Sequence, residues 1–275
     1  MSISSLQLDA FMEVVRLGSF SAAAKSLHVT QSALSQRILN LERELEAPVM
    51  IRGEKELKMT ATGEKLWDYG RGRDELEKEF FSDVSSKEGE IVGSVHIGSF
   101  STYTRSVLLP EIAKIKKLQP SISFNVETRE IRELPTLLRS GVYDFVFSTE
   151  PVKKQNIVSV KVGNEQNVLI ESVSKKTGDT FIDHDENDQT TSKFWEIQKK
   201  KAPDYERLFF DEIYTIIDAV ALGFGKAVVP KHLAEKDMRV KIVSGLKPLE
   251  TKVYLCYHNQ PISTKMSRFL IEHFT

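Results

Sequence analysis

Between Gln31 and Leu45 the apolar residues recur with a helical period. Leu34, Ile38, Leu41 and Leu45 stand at i, i+4, i+7 and i+11 and, at about 100° per residue, share one face, which predicts that this face is buried. Ser32, Ser35, Gln36 and Asn40 fall on the other side, with Gln31 at the N-terminal end. No Gly or Pro interrupts the run, and Thr30 ahead of it can act as an N-cap, so a helix is expected to begin at Gln31. Residues 21–27 read as a shorter helix opened by Ser21, whose hydroxyl can accept a backbone N–H of the next turn. Its three consecutive alanines, Ala22 to Ala24, let another helix approach closely, and His28 and Val29 separate the two helices.

Beyond Thr60, a second capping residue, Leu66, Tyr69, Leu76, Phe80 and Val84 follow at helical or heptad intervals and predict one long helix. Its apolar stripe is too narrow for the inside of a globule and suits pairing with the same helix of a second copy. Gly70 and Gly72 each cost about 1 kcal/mol relative to Ala in an exposed helix and point to a bend or a frayed turn. Residues 85–90 (Ser-Ser-Lys-Glu-Gly-Glu) read as a hinge by composition.

From Ile91 apolar runs alternate with helical stretches. Residues 92–98, 122–128 and 143–148 read as strands, with helices at 106–118 and 131–139 between them. This βαβαβ order calls for a parallel sheet with helices on its faces. Further on come a strand near 168–173, a helix around Ser192 to Lys200, and a strand near 208–211. A helix over 216–222 ends at Gly223-Phe224-Gly225 and is followed by the buried strand Ala227-Val228-Val229-Pro230. A strand near 253–257 and a terminal helix over 264–274 complete the pattern, and no internal repeat stands out.

At 275 residues the chain is long enough for two or three domains, and 40% hydrophobic with 28% charged residues is ordinary for a globular protein. A net charge of −1 supplies no bulk pull toward nucleic acid, so any DNA contact has to rest on local placement of side chains. The lone cysteine, Cys256, excludes an intrachain disulfide and a cysteine-based zinc cluster, and its apolar surroundings read as core. No metal and no cofactor is expected. His184 has nearby carboxylates but no second histidine at ligand spacing. No apolar stretch reaches membrane-helix length and the N-terminus lacks the layout of a secretion signal, so a cytoplasmic protein with no membrane partner is expected.

Two short capped helices joined by a tight connection form the pattern of a DNA-reading helix-turn-helix. Thr30, Gln31, Ser32, Ser35, Gln36 and Asn40 are then the candidate contacts to base edges and phosphates of double-stranded DNA. With the apolar set Leu8, Phe11, Val14 and Val15, the Gly18-Ser19-Phe20 corner, Leu41-Glu42 and Thr60-x-x-Gly63-Glu64, the region resembles the N-terminal domain of LysR-type transcriptional regulators. The resemblance implies a wing over residues 49–57, with Arg52 at the flanking minor groove or a phosphate and Lys55 and Lys58 as further backbone contacts. Family members usually carry Leu-Gly where this chain has Leu45-Glu46, and Phe where it has Met50.

The pieces Gly93-x-Val95-x-Ile97-Gly98, Leu109-Pro110, Pro120, Leu138-x-x-Gly141 and Asp144 are similar to the effector domain of the same family. The fold class implied is α/β with an all-α winged helix-turn-helix N-terminal domain and a two-lobed, periplasmic-binding-protein-like effector domain. The expected boundaries are 1–59 for the DNA-binding domain, 60–90 for the linker helix and hinge, and 91–275 for the effector domain. Within it, lobe I takes about 91–163 and 253–275, and lobe II about 164–252. Ligands of open α/β sheets bind beyond the carboxyl ends of strands. Ser99, Phe100, Ser101 and Thr102 follow the first strand of the effector domain, and Ser148 and Thr149 follow the strand ending at Phe147. Their hydroxyls and amides are the candidate effector contacts, unless Ser101 or Thr102 merely caps the next helix. The acidic stretch Asp183 to Asp188 either is a solvated loop or lines the cleft and favours a cationic effector, such as a basic amino acid.

The function implied is a bacterial DNA-binding regulator, a homodimer or homotetramer, modulated by a small-molecule effector in the cleft. An effector-independent regulator stays open as the alternative. An enzyme on the two-lobe scaffold lacks a nucleophile elbow, a phosphate-binding glycine loop and metal-ligand spacing. A solute-binding protein for transport needs an export signal.

Overall fold

The computed structural model describes residues 3–52, 57–85, 89–154, 156–198, 204–259 and 263–275. Three helices open the chain: α1 (Ser5–Leu17), α2 (Phe20–Ser26) and α3 (Gln31–Glu44). They close on one core built from Leu8, Phe11 and Val14 of α1, Ala23 and Ala24 of α2, and Leu34, Ile38 and Leu41 of α3. The buried face of α3 is therefore the one its periodicity predicts, with Leu45 packed at its margin. Thr30 caps α3, its Oγ1 accepting the Ala33 N–H at 3.2 Å.

The cap of α2 is Ser19 and not Ser21. Ser19 is extended and its Oγ accepts the Ala22 N–H at 3.3 Å, so Phe20 enters the helix and packs against the core. Ser21 sits inside the first turn, its hydroxyl 3.0 Å from that of Ser19.

An antiparallel hairpin of β1 (Met50–Arg52) and β2 (Leu57–Met59) forms the wing. It leads into α4 (Ala61–Ser85), capped by Thr60, whose Oγ1 accepts the Gly63 N–H at 3.0 Å. The frayed turn that Gly70 and Gly72 offer does not occur, because α4 runs unbroken through both. Gly70 instead leaves the space that the buried Met12 side chain occupies. Leu66 and Trp67 join the N-terminal core, whereas Tyr69, Leu76, Phe80, Phe81 and Val84 lie exposed farther along. Of the hinge read at residues 85–90, residues 86–88 lie outside the described residues.

The remainder is a seven-stranded mixed sheet and a separate two-stranded pair, with helices packed on them. β3 (Gly93–Ser99) leads into α5 (Ser101–Tyr103), a π-helical turn (Thr104–Leu108) and α6 (Leu109–Leu118). β4 (Ile122–Thr128), α7 (Leu134–Arg139) and β5 (Phe145–Ser148) follow, and β3 pairs in parallel with both β4 and β5, as the βαβαβ pattern requires. The strand into lobe II is longer than its apolar run suggests: β6 spans Ile157–Ser172.

Lobe II then holds β7 (Thr180–Asp183), α8 (Thr190–Ile197), β8 (Glu206–Phe209), α9 (Ile213–Leu222), β9 (Ala227–Pro230), α10 (Lys231–Ala234) and β10 (Val240–Ile242). Lys200, the expected end of the helix here called α8, lies outside the described residues. β11 (Leu249–His258) returns antiparallel to β6 from Leu249↔Asn167 to His258↔Ile157, and α11 (Lys265–Phe274) closes lobe I under a Thr264 cap. The sheet order is β10-β6-β11-β5-β3-β4, with β9 also on β6 and β7-β8 a separate parallel pair. One core lies under β3, α6 and α11, and a second under β6, α9 and β9. Two long paired strands are thus the connection between the lobes.

Candidate nucleic-acid interface and ligand cleft

α3 presents Gln31, Ser32 and Gln36 to solvent, with Ser35 and Asn40 half-buried beside them. Two contacts organise this face. The Thr30 and Ser32 hydroxyls stand 3.0 Å apart, and Gln36 Nε2 donates to Asn40 Oδ1 at 2.8 Å. The second bond fixes the side-chain amides one turn apart and leaves Gln36 Oε1 and Asn40 Nδ2 without a protein partner among the described residues. These are the acceptor and donor that a base edge can use. Arg52 closes β1 opposite Leu57, while its side chain and all of Lys55 lie outside the described residues. Lys58 is exposed on β2, opposite Ile51.

α3 ends in two backbone bonds, Glu46 N–H to Arg43 O at 3.2 Å and Ala47 N–H to Glu42 O at 3.1 Å. That geometry puts Glu46 in the left-handed region, at φ 51°. This is where the family pattern carries Gly, so the departure keeps the turn and adds strain to it.

A cleft of about 1130 Å³ opens between the two lobes. Five of the six effector candidates border it: Phe100, Ser101 and Thr102 at the start of α5, and Ser148 and Thr149 after β5. Ser99 does not. It is the last residue of β3, in register with Thr128, and is fully buried with its Oγ unpartnered among the described residues. Alternation along the strand turns its side chain into the core. Neither Ser101 nor Thr102 caps the helix, which has Phe100 at its N-cap and no side-chain cap bond, and the Thr102 hydroxyl instead meets Glu165.

The acidic stretch forms part of the lobe II wall, and its carboxylates divide by role. Asp183 is buried and accepts from Arg207 Nε at 2.6 Å and Thr191 Oγ1 at 2.5 Å. Asp188 accepts the backbone N–H of His184 at 3.0 Å and of Thr190 at 2.8 Å. His184 and Asp185 reach across to lobe I, His184 Nε2 lying 3.1 Å from Glu130 Oε2 and Arg132 Nη1 3.4 Å from Asp185 Oδ2. Arg105 of the π turn sits 4.0 Å over the Tyr214 ring of α9, a third contact between the lobes.

Residues 6–64 match the bacterial regulatory helix-turn-helix proteins of the lysR family, and residues 88–274 match the LysR substrate binding domain. The chain belongs to the LysR family. As a LysR-family protein it is a DNA-binding transcriptional regulator with an effector-binding domain, not an enzyme. It is 28% identical over 247 residues to the probable HTH-type transcriptional regulator LrrA of Synechococcus elongatus, covering 85% of this chain and 82% of that one. An uncharacterized HTH-type transcriptional regulator from the lacR 5′ region of Staphylococcus xylosus is 24% identical over 165 residues, 60% of this chain and 61% of its own length. Full-length LysG of Corynebacterium glutamicum, solved with bound effector Arg, shares the fold at a TM-score of 0.71 and 18% identity, covering 98% of this chain and 96% of LysG.

This LysR-family cleft also contains a residue that pattern reading missed. Glu165 on β6 has a side chain only 12% exposed, and burial pushes its carboxyl up to about 7 against a hydrogen bond from Thr102. In sequence it belongs to a polar run, Asn164 to Asn167, ahead of the apolar Val168-Leu169-Ile170, which reads as a solvated strand end. Only its pairing with Thr251 of β11 and the packing of α10 place it in the cleft. Cys256 is buried beside Ser159 Oγ at 3.3 Å, and burial pushes its thiol up, as suits a core residue. Among the described residues no cluster of His, Cys, Asp or Glu could hold a metal ion, and no helix is long and apolar enough to cross a membrane.

Proposed function

We propose that this regulator reads DNA with the exposed face of α3, through Thr30, Gln31, Ser32, Ser35, Gln36 and Asn40, and grips the flanking backbone with Arg52 of the wing. The functional units are residues 1–59, 60–90 and 91–275, with the lobes exchanging along β6 and β11. It acts in the cytoplasm as a homodimer or homotetramer, and the open stripe Tyr69, Leu76, Phe80 and Val84 of α4 is the surface suited to pairing with a second copy. The effector is a small molecule held in the inter-lobe cleft by Phe100, Ser101, Thr102, Ser148 and Thr149. An amino acid fits that space and those hydroxyls, and LysG, which shares the fold, was solved with arginine.

The observation that carries this reading is the mechanical joining of reader to cleft. α4 buries Trp67 in the N-terminal core and is tied to lobe I by Lys154 to Glu64 at 3.4 Å, Lys78 to Asp144 at 3.4 Å and Lys265 to Asp83 at 2.6 Å. A ligand that binds two lobe arrangements unequally therefore has a packed route to the DNA-binding helices.

The deciding experiment is binding of the purified chain to its own upstream intergenic DNA against random DNA at fixed salt. A footprint with two half-sites about one or two helical turns apart supports the reading, and a metabolite thermal-shift screen then finds the effector. Equal affinity for both DNAs at every salt, with and without metabolites that stabilise the protein, overturns it.

A further inference from the structure

Nine carboxylate and three cationic side chains border the cleft among the described residues. Most of the carboxylates are already satisfied. Asp183 is held by Arg207, Asp185 faces Arg132, and Glu130 meets His184. Asp188 accepts backbone N–H groups, and Glu212 caps α9 by accepting from Tyr214 and Thr215. Glu133, Glu150 and Asp211 are exposed to water. Glu165 is different: its side chain is only 12% exposed and, among the described residues, it faces no cationic side chain.

Its neighbours come from three directions. Thr102 at the start of α5 donates a hydrogen bond. Tyr103 lies close enough for the carboxylate to affect its phenol, which is pushed up to about 12 mainly by burial and stays protonated. His232 of α10 places Nδ1 4.0 Å from Glu165 Oε1, but burial and Lys236 pull its ring below the usual histidine range, so it faces Glu165 as a neutral group. His232 Nε2 is itself buried without a partner. The aromatic side of the subsite is a stack, Phe100 to Tyr103 at 5.6 Å and Tyr103 to Phe147 at 4.9 Å, and Phe100 borders the cleft. A carboxylate with no cation of its own among the described residues, close to Tyr103 and sharing the cleft wall with the Phe100 ring, is chemistry that recognises an organic cation.

Resting on the assignment of the cleft as the effector site, we propose that Glu165 receives the positively charged nitrogen at the end of the ligand's aliphatic chain, the side-chain cation of an amino acid or one end of a diamine. The effector class is then a cationic amino acid or a small amine, whose charge completes an ion pair that the protein leaves open. Burial keeps the pair out of water and makes the charge a requirement for binding: a neutral isostere leaves Glu165 desolvated and unpaired. The same wall would exclude anionic metabolites by repulsion.

Isothermal titration of the full chain with L-arginine, L-lysine and putrescine, beside the neutral isosteres L-citrulline and L-norleucine, tests this. At least one cation is expected to bind, its neutral isostere roughly 30-fold more weakly, and Glu165→Gln to weaken the cation by a similar factor. Because the cation favours ionised Glu165, affinity should rise about tenfold from pH 6 to pH 8 in the wild type and stay flat in Glu165→Gln. That pH profile needs no variant and covers the case in which the substitution disturbs folding. Citrulline or norleucine binding as tightly as its charged counterpart, a cation held equally by Glu165→Gln, or no binding of any cation overturns the proposal. A neutral or anionic metabolite whose binding is blocked by Ser101→Trp would leave the cleft as effector site and remove Glu165 as its charge reader.

Discussion

The missing side chain of Gly70 makes room for the buried thioether of Met12, so that α4 and α1 pack more closely than any other residue at position 70 would allow. Gly72, two positions on, faces open space. The two glycines look equivalent in sequence and have opposite roles. Gly72→Ala should stabilise the chain by about 1 kcal/mol, the propensity difference in an exposed helix. Gly70→Ala should destabilise it by about 1–3 kcal/mol, because the overpacking of Met12 outweighs the same propensity gain. Urea denaturation of both variants checks the pair, and a stabilised Gly70→Ala would show that Met12 moves aside freely.

Glu46 offers a second test of local strain. The turn after α3 holds it at φ 51°, and a non-glycine residue in that region costs about 1–2 kcal/mol. Glu46→Gly should recover roughly 1 kcal/mol of that, reduced by the greater freedom of glycine in the unfolded chain. His28 stands in the same conformation at the end of α2, at φ 53°, with Val29 N–H bonded to Ala24 O at 2.9 Å. Both helices of the motif therefore end in the same turn without glycine. The midpoint of thermal unfolding should rise for Glu46→Gly while the DNA footprint stays in place.

The pH dependence of stability contains two opposing contributions. His258 donates from Nε2 to Leu138 O at 2.7 Å, and burial, with Arg71 nearby, pushes its ring down to about 4. The unfolded chain then binds more protons than the folded one between about pH 6.5 and 4, so this residue makes stability fall as acid is added across that window. Glu165 works the other way. Its carboxyl rises from 4.5 to about 7 in the fold, so the stability it contributes is full below about pH 4.5 and is lost as pH rises through 7. Glu165→Gln should consequently gain thermal stability over the wild type at pH 8, by about 3 kcal/mol as an upper figure, and gain little at pH 4.5. Equal effects at both pH values would mean that Glu165 is ionised at little cost in the fold.

What could be read from the sequence depended on how local its cause was. Helix α3 came through whole because a Thr cap, an uninterrupted run and one apolar face are all contained within sixteen residues. The cap of α2 is ambiguous in sequence because Ser19 and Ser21, two residues apart, offer the same hydroxyl, and only the packing of Phe20 selects between them. Ser99 adjoins Phe100 to Thr102 in sequence, but it is still in the strand, where a step of one residue changes the face. Glu165 had no local signal. Its burial comes from β11, through the pairing with Thr251 86 residues downstream, and from α10, neither of which a window of sequence around it contains.

On the DNA side, Gln36 and Asn40 act as a unit. Their mutual bond of 2.8 Å holds the Gln36 amide in place before DNA arrives, so little side-chain entropy is lost when its oxygen meets a base. Gln36→Ala should then weaken binding to the specific site by about 1–3 kcal/mol and leave affinity for random DNA unchanged. Asn40→Ala should produce part of the same loss, because it releases Gln36 even where Asn40 touches no base. Combining the two substitutions should cost less than the sum of the single changes, as expected for partners in one network. Fluorescence anisotropy on specific and random duplexes at one salt concentration measures all four proteins. Equal losses on both duplexes would move Gln36 from base reading to the phosphate backbone, and strict additivity would break the unit apart.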